Sequence, residues 1–451
     1  VGERIVISAV GVSVEIDMAE LDEAVREQVA EAWRDARLPD GRHVDVTVPV
    51  AASDDTERTL SNLSTQVTLA ALAHRKGDLW MLHAAGLADE RGHVVVLAAP
   101  SGTGKTTAAR HLSARYAYVS DETVGVDSQG GIVAYRKPLS VIQPDRVHKE
   151  QIPPSQFEGG EWPQKALRLS ALAVLERDPA APEQPEVTPL TTAEALEALG
   201  PQSSYLCDLR DGLHLLEALL RATGGAVRIR YREASSLDDA IASLLDREPP
   251  FAPVVPTYEA PAPDRVTDAG ERLYRGAVVD AMELPDDGRI AVLQRSSSGG
   301  RLSVLDGIAP AIWRAANGAT FDELVTAVTD AIGAPPEGAD AADLVRVAAD
   351  ELRTSGMLAG EPCWRLDPRV AWTDGDDRTV VLGLADPQAQ PLALERSAHA
   401  VWQVLSSKGA VTQGELLREV AEAFDVEPAE IEGDVVDLLE GLRVKRVVEY
   451  C

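Results

Sequence analysis

The stretch HVVVLAAPSGTGKTTAARHL, residues 93–112, sets Gly102 and Gly104 immediately before Lys105, Thr106 and Thr107. A backbone that wraps a phosphate needs successive N–H groups turned inward, which glycine permits at positive φ, and the N-terminus of a following helix adds a favourable dipole. Ser101, Gly102, Thr103, Gly104, Lys105, Thr106 and Thr107 are therefore expected to bind a nucleotide. Lys105 would reach the β- and γ-phosphates and the Thr106 hydroxyl would ligate Mg²⁺. The pattern GxxxxGK[ST] is broken at its first position, where Ala99 stands. Holding a nucleotide and transferring its phosphoryl group are separate matters, because a loop can be kept for binding alone.

Transfer requires carboxylates, one on the metal side and one to orient or deprotonate the attacking hydroxyl. The run YAYVSDETVGVD supplies Asp121 and Glu122 at the end of an apolar strand. The competing reading is an exposed acidic turn. His83, at the end of another apolar strand, is either functional or a packed, satisfied histidine. Arg136 and Lys137 are a basic pair in reach of a phosphate in principle, but a lone pair of this kind reads as a solvated face.

Together His83-Ala84, the loop Ser101–Thr106 and the pair Asp121-Glu122 resemble the catalytic core of the HPr kinase/phosphorylase family, with Glu122 in place of an aspartate; the segment YRKPLSV, residues 135–141, is also similar. The resemblance spans roughly residues 60–245. It implies an ATP- and Mg²⁺-dependent kinase fold in which Asp121 is the base, Thr106 and Glu122 face the metal, and His83 and Lys105 complete the catalytic set.

The elements that must position these residues can be read from periodicity. RIVISAVGVSVEI and HVDVTVPVA alternate as strands around an acidic helical stretch, and LSTQVTLAALAHRKG has helical spacing before LWMLHAAGL. Strands and helices continue to residue 246, giving an α/β nucleotide-binding domain over residues 1–246. Residues 247–265, rich in Pro and Ala, read as an interdomain linker.

Beyond the linker the chain repeats itself. Trp313 and Trp402 stand at the same offset from Leu305 and Leu394, each on a helix preceded by strand-like runs and followed by a glycine break and further helices. Two small winged-helix-like α+β modules are expected, at 266–360 and 361–451, with those leucines and tryptophans forming their cores. Such units bind DNA through a basic helix or peptides along a sheet edge. The last helix carries Glu430, Glu432, Asp434, Asp437 and Glu440 with no cation before Arg443, and the whole chain has a formal charge of −30, so nucleic acid and anionic membranes are excluded as partners. The modules resemble the PqqD-like fold of ribosomally synthesised peptide (RiPP) pathways, best over PLALERSAHAVWQVLSSKGAVTQGELL and the helix that follows. That resemblance implies capture of a precursor's leader segment as an added strand near Arg301–Leu305 or Pro391–Leu394, flanked by the helices at Leu344–Leu352 and Val435–Leu442.

Cys207, Cys363 and Cys451 lie far apart, which suggests neither a disulfide framework nor a zinc site and fits a cytoplasmic protein. No apolar run approaches a membrane span. Two functions follow. One is a RiPP biosynthesis protein that grips a precursor and phosphorylates one of its hydroxyls. The other is a non-catalytic adapter that presents the precursor to separate modifying enzymes.

Overall fold

The structure is a computed structural model that describes every residue except 1, 40, 52, 54, 101, 142–148, 158, 248–271, 297–298 and 385–387. Apart from Arg247, the expected linker lies outside the described residues, as does Ser101. The chain divides into two compact units, Val1–Pro256 and Thr257–Cys451.

The first unit is built on a six-stranded mixed sheet in the order Glu186–Pro189, Ala226–Tyr231, Arg168–Arg177, His93–Ala98, Ala84–Ala88, Ala117–Ser120. His93–Ala98, Arg168–Arg177 and Ala226–Tyr231 run parallel, so their carboxyl ends share one edge. His93–Ala98 reads as a continuous apolar run because both of its faces are covered. Val95 and Leu97 pack on Ala108, Ala109 and Leu112 of the helix Lys105–Leu112 and on Leu237, Ile241 and Leu244. The strands expected at the N-terminus form a separate three-stranded sheet, Arg4–Ala9, Val12–Asp17 and Val46–Pro49, whose core includes Leu63, Val67 and Ala71 of the helix Thr56–His74. Strands form at Ile132–Val133 and Leu139–Val141, and residues 134–138 between them are irregular.

The second unit contains one order of elements twice. A strand, a three-stranded meander, a helix, a short strand, two helices and a closing strand run from Leu273–Arg275 to Leu358–Ala359 and again from Cys363–Leu366 to Val448–Tyr450. The glycine breaks at Gly318 and Gly409 hold the short strands Asn317–Ala319 and Ala410–Thr412, each paired to the first strand of its copy. Trp313 lies in the core of the first copy with Leu305, and Trp402 in the core of the second with Leu394, as packing residues.

One expectation is overturned. Cys363 and Cys451 form a disulfide with their Cα atoms 5.3 Å apart. Spacing rules miss it because the partners meet through tertiary pairing. Cys363–Leu366 pairs antiparallel with Val448–Tyr450, with Trp364 opposite Tyr450, which brings the two cysteines together across 88 residues. Closing so long a loop restricts the unfolded chain, so Cys451→Ser should destabilise this unit by about 2–4 kcal/mol. Urea unfolding followed by the fluorescence of the buried Trp364 and Trp402 measures this, and an unchanged midpoint would show that the bridge contributes nothing.

Candidate functional site

The loop expected to hold a phosphate leaves the carboxyl end of His93–Ala98 and enters the helix Lys105–Leu112. Gly102 and Gly104 take φ of +81° and +100°, where a side chain is strained. Gly104 has a second reason to be glycine, since a Cβ there would lie 3.3 Å from the Tyr231 hydroxyl; above Gly102 there is open space. Ala99 is absent from the positive-φ residues, so the loop turns without a left-handed residue at its first position. Gly104 caps the helix with no side chain, which leaves its first N–H groups facing the loop, and Thr106 and Thr107 sit in the first turn.

Lys105 is buried and folds back to donate to the Ala99 carbonyl. Burial drags its ammonium down to a pKa of about 8, against the upward pull of Asp121 and Glu122. An amine held short of solvation and beside open backbone N–H groups suits an anionic ligand.

The acidic pair is not an exposed turn. Ser120 Oγ accepts from the Glu122 and Thr123 amides at 3.2 and 3.1 Å, bending the chain as the strand Ala117–Ser120 ends. Asp121 is buried and accepts from the Tyr118 hydroxyl at 2.7 Å. The solvated-face reading of the basic pair also fails. Lys137 is only 1% exposed, and its Nζ lies 2.8 Å from Glu122 Oε2 and 3.6 Å from Asp121 Oδ1 while donating to the Pro138 carbonyl at 3.0 Å. Burial alone would lower its pKa; the two carboxylates outweigh that and hold it raised. Arg136 stacks on the Trp162 ring instead, 4.7 Å from its centroid.

His83 Nδ1 is 2.9 Å from the Glu122 carbonyl oxygen. A carbonyl only accepts, so Nδ1 carries the proton and Nε2 the lone pair. Burial, then the Lys105 charge, lowers the imidazole's pKa and favours this neutral form. The structure thus gathers His83, Lys105, Asp121 and Glu122 into one cluster and adds Lys137 and Tyr118, which the sequence reading did not assign to it. A short basic pair before Pro138 gave no signal that one member turns inward.

The turn at Gly102 and Gly104, the buried Lys105 ammonium, the Thr106 hydroxyl and the carboxylate pair are the groups that could hold a Mg²⁺–nucleotide. Loop amides and Lys105 would take phosphates; Thr106 and Glu122 would offer oxygens to the metal.

In the second unit the strands Gly299–Leu305 and Leu392–Glu395 are the outer members of their meanders, and among the described residues neither pairs on its outer side. An unpaired edge offers a row of N–H and C=O groups to an extended chain. The helices Ala341–Thr354 and Pro428–Val444 close the helical part of each copy.

Lys105 generates a test independent of any ligand. Its proton is bound less tightly in the folded chain, at about 8, than at the ordinary 10.5, so stability rises with pH between these values, and below about pH 8 the charged amine is a handicap. Lys105→Met should therefore be more stable than the parent at pH 7, with the advantage shrinking towards pH 10. Denaturant titrations at both pH values decide it; an equal difference at each would remove the burial argument.

Residues 380–448 match the family model described as coenzyme PQQ synthesis protein D (PqqD), beginning in the middle strand of the second meander and ending as the closing strand starts. No curated protein matches the chain. The similarity to PqqD is thus confined to residues 380–448, within the second copy of the repeated order of elements.

Proposed function

We propose that this chain is a RiPP biosynthesis protein that captures the leader of a ribosomally made precursor and phosphorylates a hydroxyl of that peptide. The observation that carries the reading is the PqqD domain with an outer strand, Leu392–Glu395, left unpaired. Ladder hydrogen bonds to that edge would give affinity with little sequence demand. Capture makes the second encounter intramolecular, so weak affinity for the acceptor hydroxyl suffices. The first copy, with the same order of elements, is read as a second PqqD-like module.

For the transfer, the resemblance to HPr kinase/phosphorylase assigns roles that the cluster can fill. Bound ATP with Mg²⁺ would supply the phosphoryl group. Backbone amides of residues 102–107 and Lys105 Nζ would hold its phosphates, with Thr106 and Glu122 on the metal side. The Asp121 carboxylate would receive the proton of the attacking hydroxyl, while Tyr118 and Lys137 hold that carboxylate in place. His83, fixed through Nδ1 to the Glu122 carbonyl, keeps the acidic turn against the strand Ala84–Ala88, whose first amide also donates to that carbonyl at 3.2 Å.

The adapter reading has its own supporting observation. Lys137 already neutralises the carboxylates from inside, so a nucleotide-binding unit without turnover would keep them satisfied. Full-length protein incubated with γ-labelled ATP, Mg²⁺ and a precursor peptide separates the two. Kinase activity predicts label on the peptide, a loss of at least about 100-fold with Asp121→Asn, and unchanged peptide affinity in that variant. Peptide binding that protects the amides of Leu392–Glu395 from hydrogen exchange, with no label transferred, would establish the adapter. Absence of that protection with any precursor would end the peptide-capture reading.

A further inference from the structure

The two copies in the second unit serve as controls for each other, because their sheets can be compared residue by residue. Leu305 pairs across the meander with Ile290, and Leu394 with Thr379; Ile290 pairs in turn with Glu283, and Thr379 with Asp374. Two residues earlier on the same face stand Ala281 in the first copy, opposite Val292, and Trp372 in the second, opposite Val381.

At these two positions the second copy departs from the first. Ala281 is buried, whereas Trp372 is 45% exposed even though its ring meets the core Trp402 ring edge-on, with 5.6 Å between centroids. The first copy closes its core with alanine, so the fold does not call for an indole here. Among the described residues no cationic side chain lies over the Trp372 ring. Trp402 Nε1, in the ring beside it, is buried without a hydrogen-bond partner among the described residues, and a peptide carbonyl reaching it would satisfy that donor.

The acid next to this position differs in its partner. In the first copy Arg314 pairs with Glu283 at 2.7 Å. Arg314 follows Trp313 as Gln403 follows Trp402, and Gln403 gives Asp374 Oδ1 only a neutral hydrogen bond of 3.2 Å. Thr379 donates to the same oxygen at 2.6 Å, which leaves its hydroxyl to accept from His399 Nδ1 at 2.9 Å. Asp374 is thus held in place by neutral donors, and among the described residues no lysine or arginine forms an ion pair with it. Asp376 and Asp377, exposed in the adjoining turn, add to the negative potential, while Arg378, next to Thr379 in the strand, belongs to the opposite face of the sheet.

We propose that Trp372 and Asp374 form a subsite for a lysine or arginine side chain of the captured peptide, whose cation takes the place that Arg314 holds on Glu283 in the first copy. The alkyl stem and the charge lie against the indole face, and the ammonium or guanidinium pairs with the Asp374 carboxylate. The subsite rests on the peptide-capture reading and extends it. It belongs to the outer strand opposite Leu392–Glu395, two strand spacings or about 10 Å away, a distance that about three residues of extended chain cover.

Fluorescence anisotropy on the full chain, with a precursor peptide and the same peptide carrying norleucine for every lysine and arginine, tests it. The parent should bind the norleucine peptide about fivefold or more weakly, and Trp372→Ala should bind both peptides at that weaker level. This variant installs the residue that the first copy tolerates, so the module should keep its fold. Asp374→Asn, which retains an oxygen for Thr379 and Gln403 and removes the charge, should abolish the discrimination independently. Gln403→Arg, which restores the internal cation of the first copy, should do the same. If the parent binds the two peptides alike, or if Trp372→Ala and Asp374→Asn discriminate as the parent does, the subsite is overturned, while hydrogen-exchange protection of Leu392–Glu395 by the same peptide shows that capture stands. If no precursor protects that edge, the capture reading falls and takes the subsite with it.

Discussion

Charge compensation around Asp121 and Glu122 is the constraint on which the first unit's site depends. A carboxylate as buried as Asp121 is tolerated only with a partner close by. Lys137, from the segment before the strand Leu139–Val141, supplies it at ion-pair distance, while Lys105 adds a weaker pull from the helix N-terminus. They are not equivalent. Lys105 loses more from burial than it gains from the carboxylates and is destabilised in place, whereas Lys137 is held firmly charged. The site therefore carries one cation paired with the protein's own acids, Lys137, and one, Lys105, whose charge its buried setting disfavours.

The sheet turns this local asymmetry into a directed site. Parallel strands bring several carboxyl ends to one edge, so the loop after His93–Ala98, Arg177 and the residues after Ala226–Tyr231 become neighbours although they are far apart in sequence. Tyr231 shows how tightly that edge is built, because its hydroxyl lies where a side chain at position 104 would project. The glycine is fixed from two directions, by its backbone conformation and by a neighbouring strand.

What the sequence disclosed follows from how local each requirement is. The glycine turn before the helix Lys105–Leu112 was legible because positive φ at Gly102 and Gly104 is a demand on single residues. The duplication was legible because each module must bury its own leucine and tryptophan at a fixed offset. Lys137 was not legible, since nothing in a basic residue beside a proline tells whether it faces water or two carboxylates contributed by another strand. The Cys363–Cys451 bridge was hidden for the same reason. Its partners are joined by the pairing of the first and last strands of a module, a contact that no spacing rule contains. Tyr118 illustrates the intermediate case. Its place in a strand is plain, and its hydrogen bond to Asp121 depends on how the chain turns after Ser120.

The two copies in the second unit share an order of elements but not a surface. On the closing helix of the first, Val345, Ala349 and Leu352 are turned to the core, whereas Leu344 and Val347 are 42% and 60% exposed. The closing helix of the second copy presents exposed Asp434 and Asp437 and an exposed Gly441, with Val435, Leu439 and Leu442 turned to the core. The core positions are thus kept apolar in both while the outward positions diverge in charge. Because burial specifies the fold and leaves the exposed flank free, duplication produces two scaffolds of one architecture whose surfaces suit different chemistry.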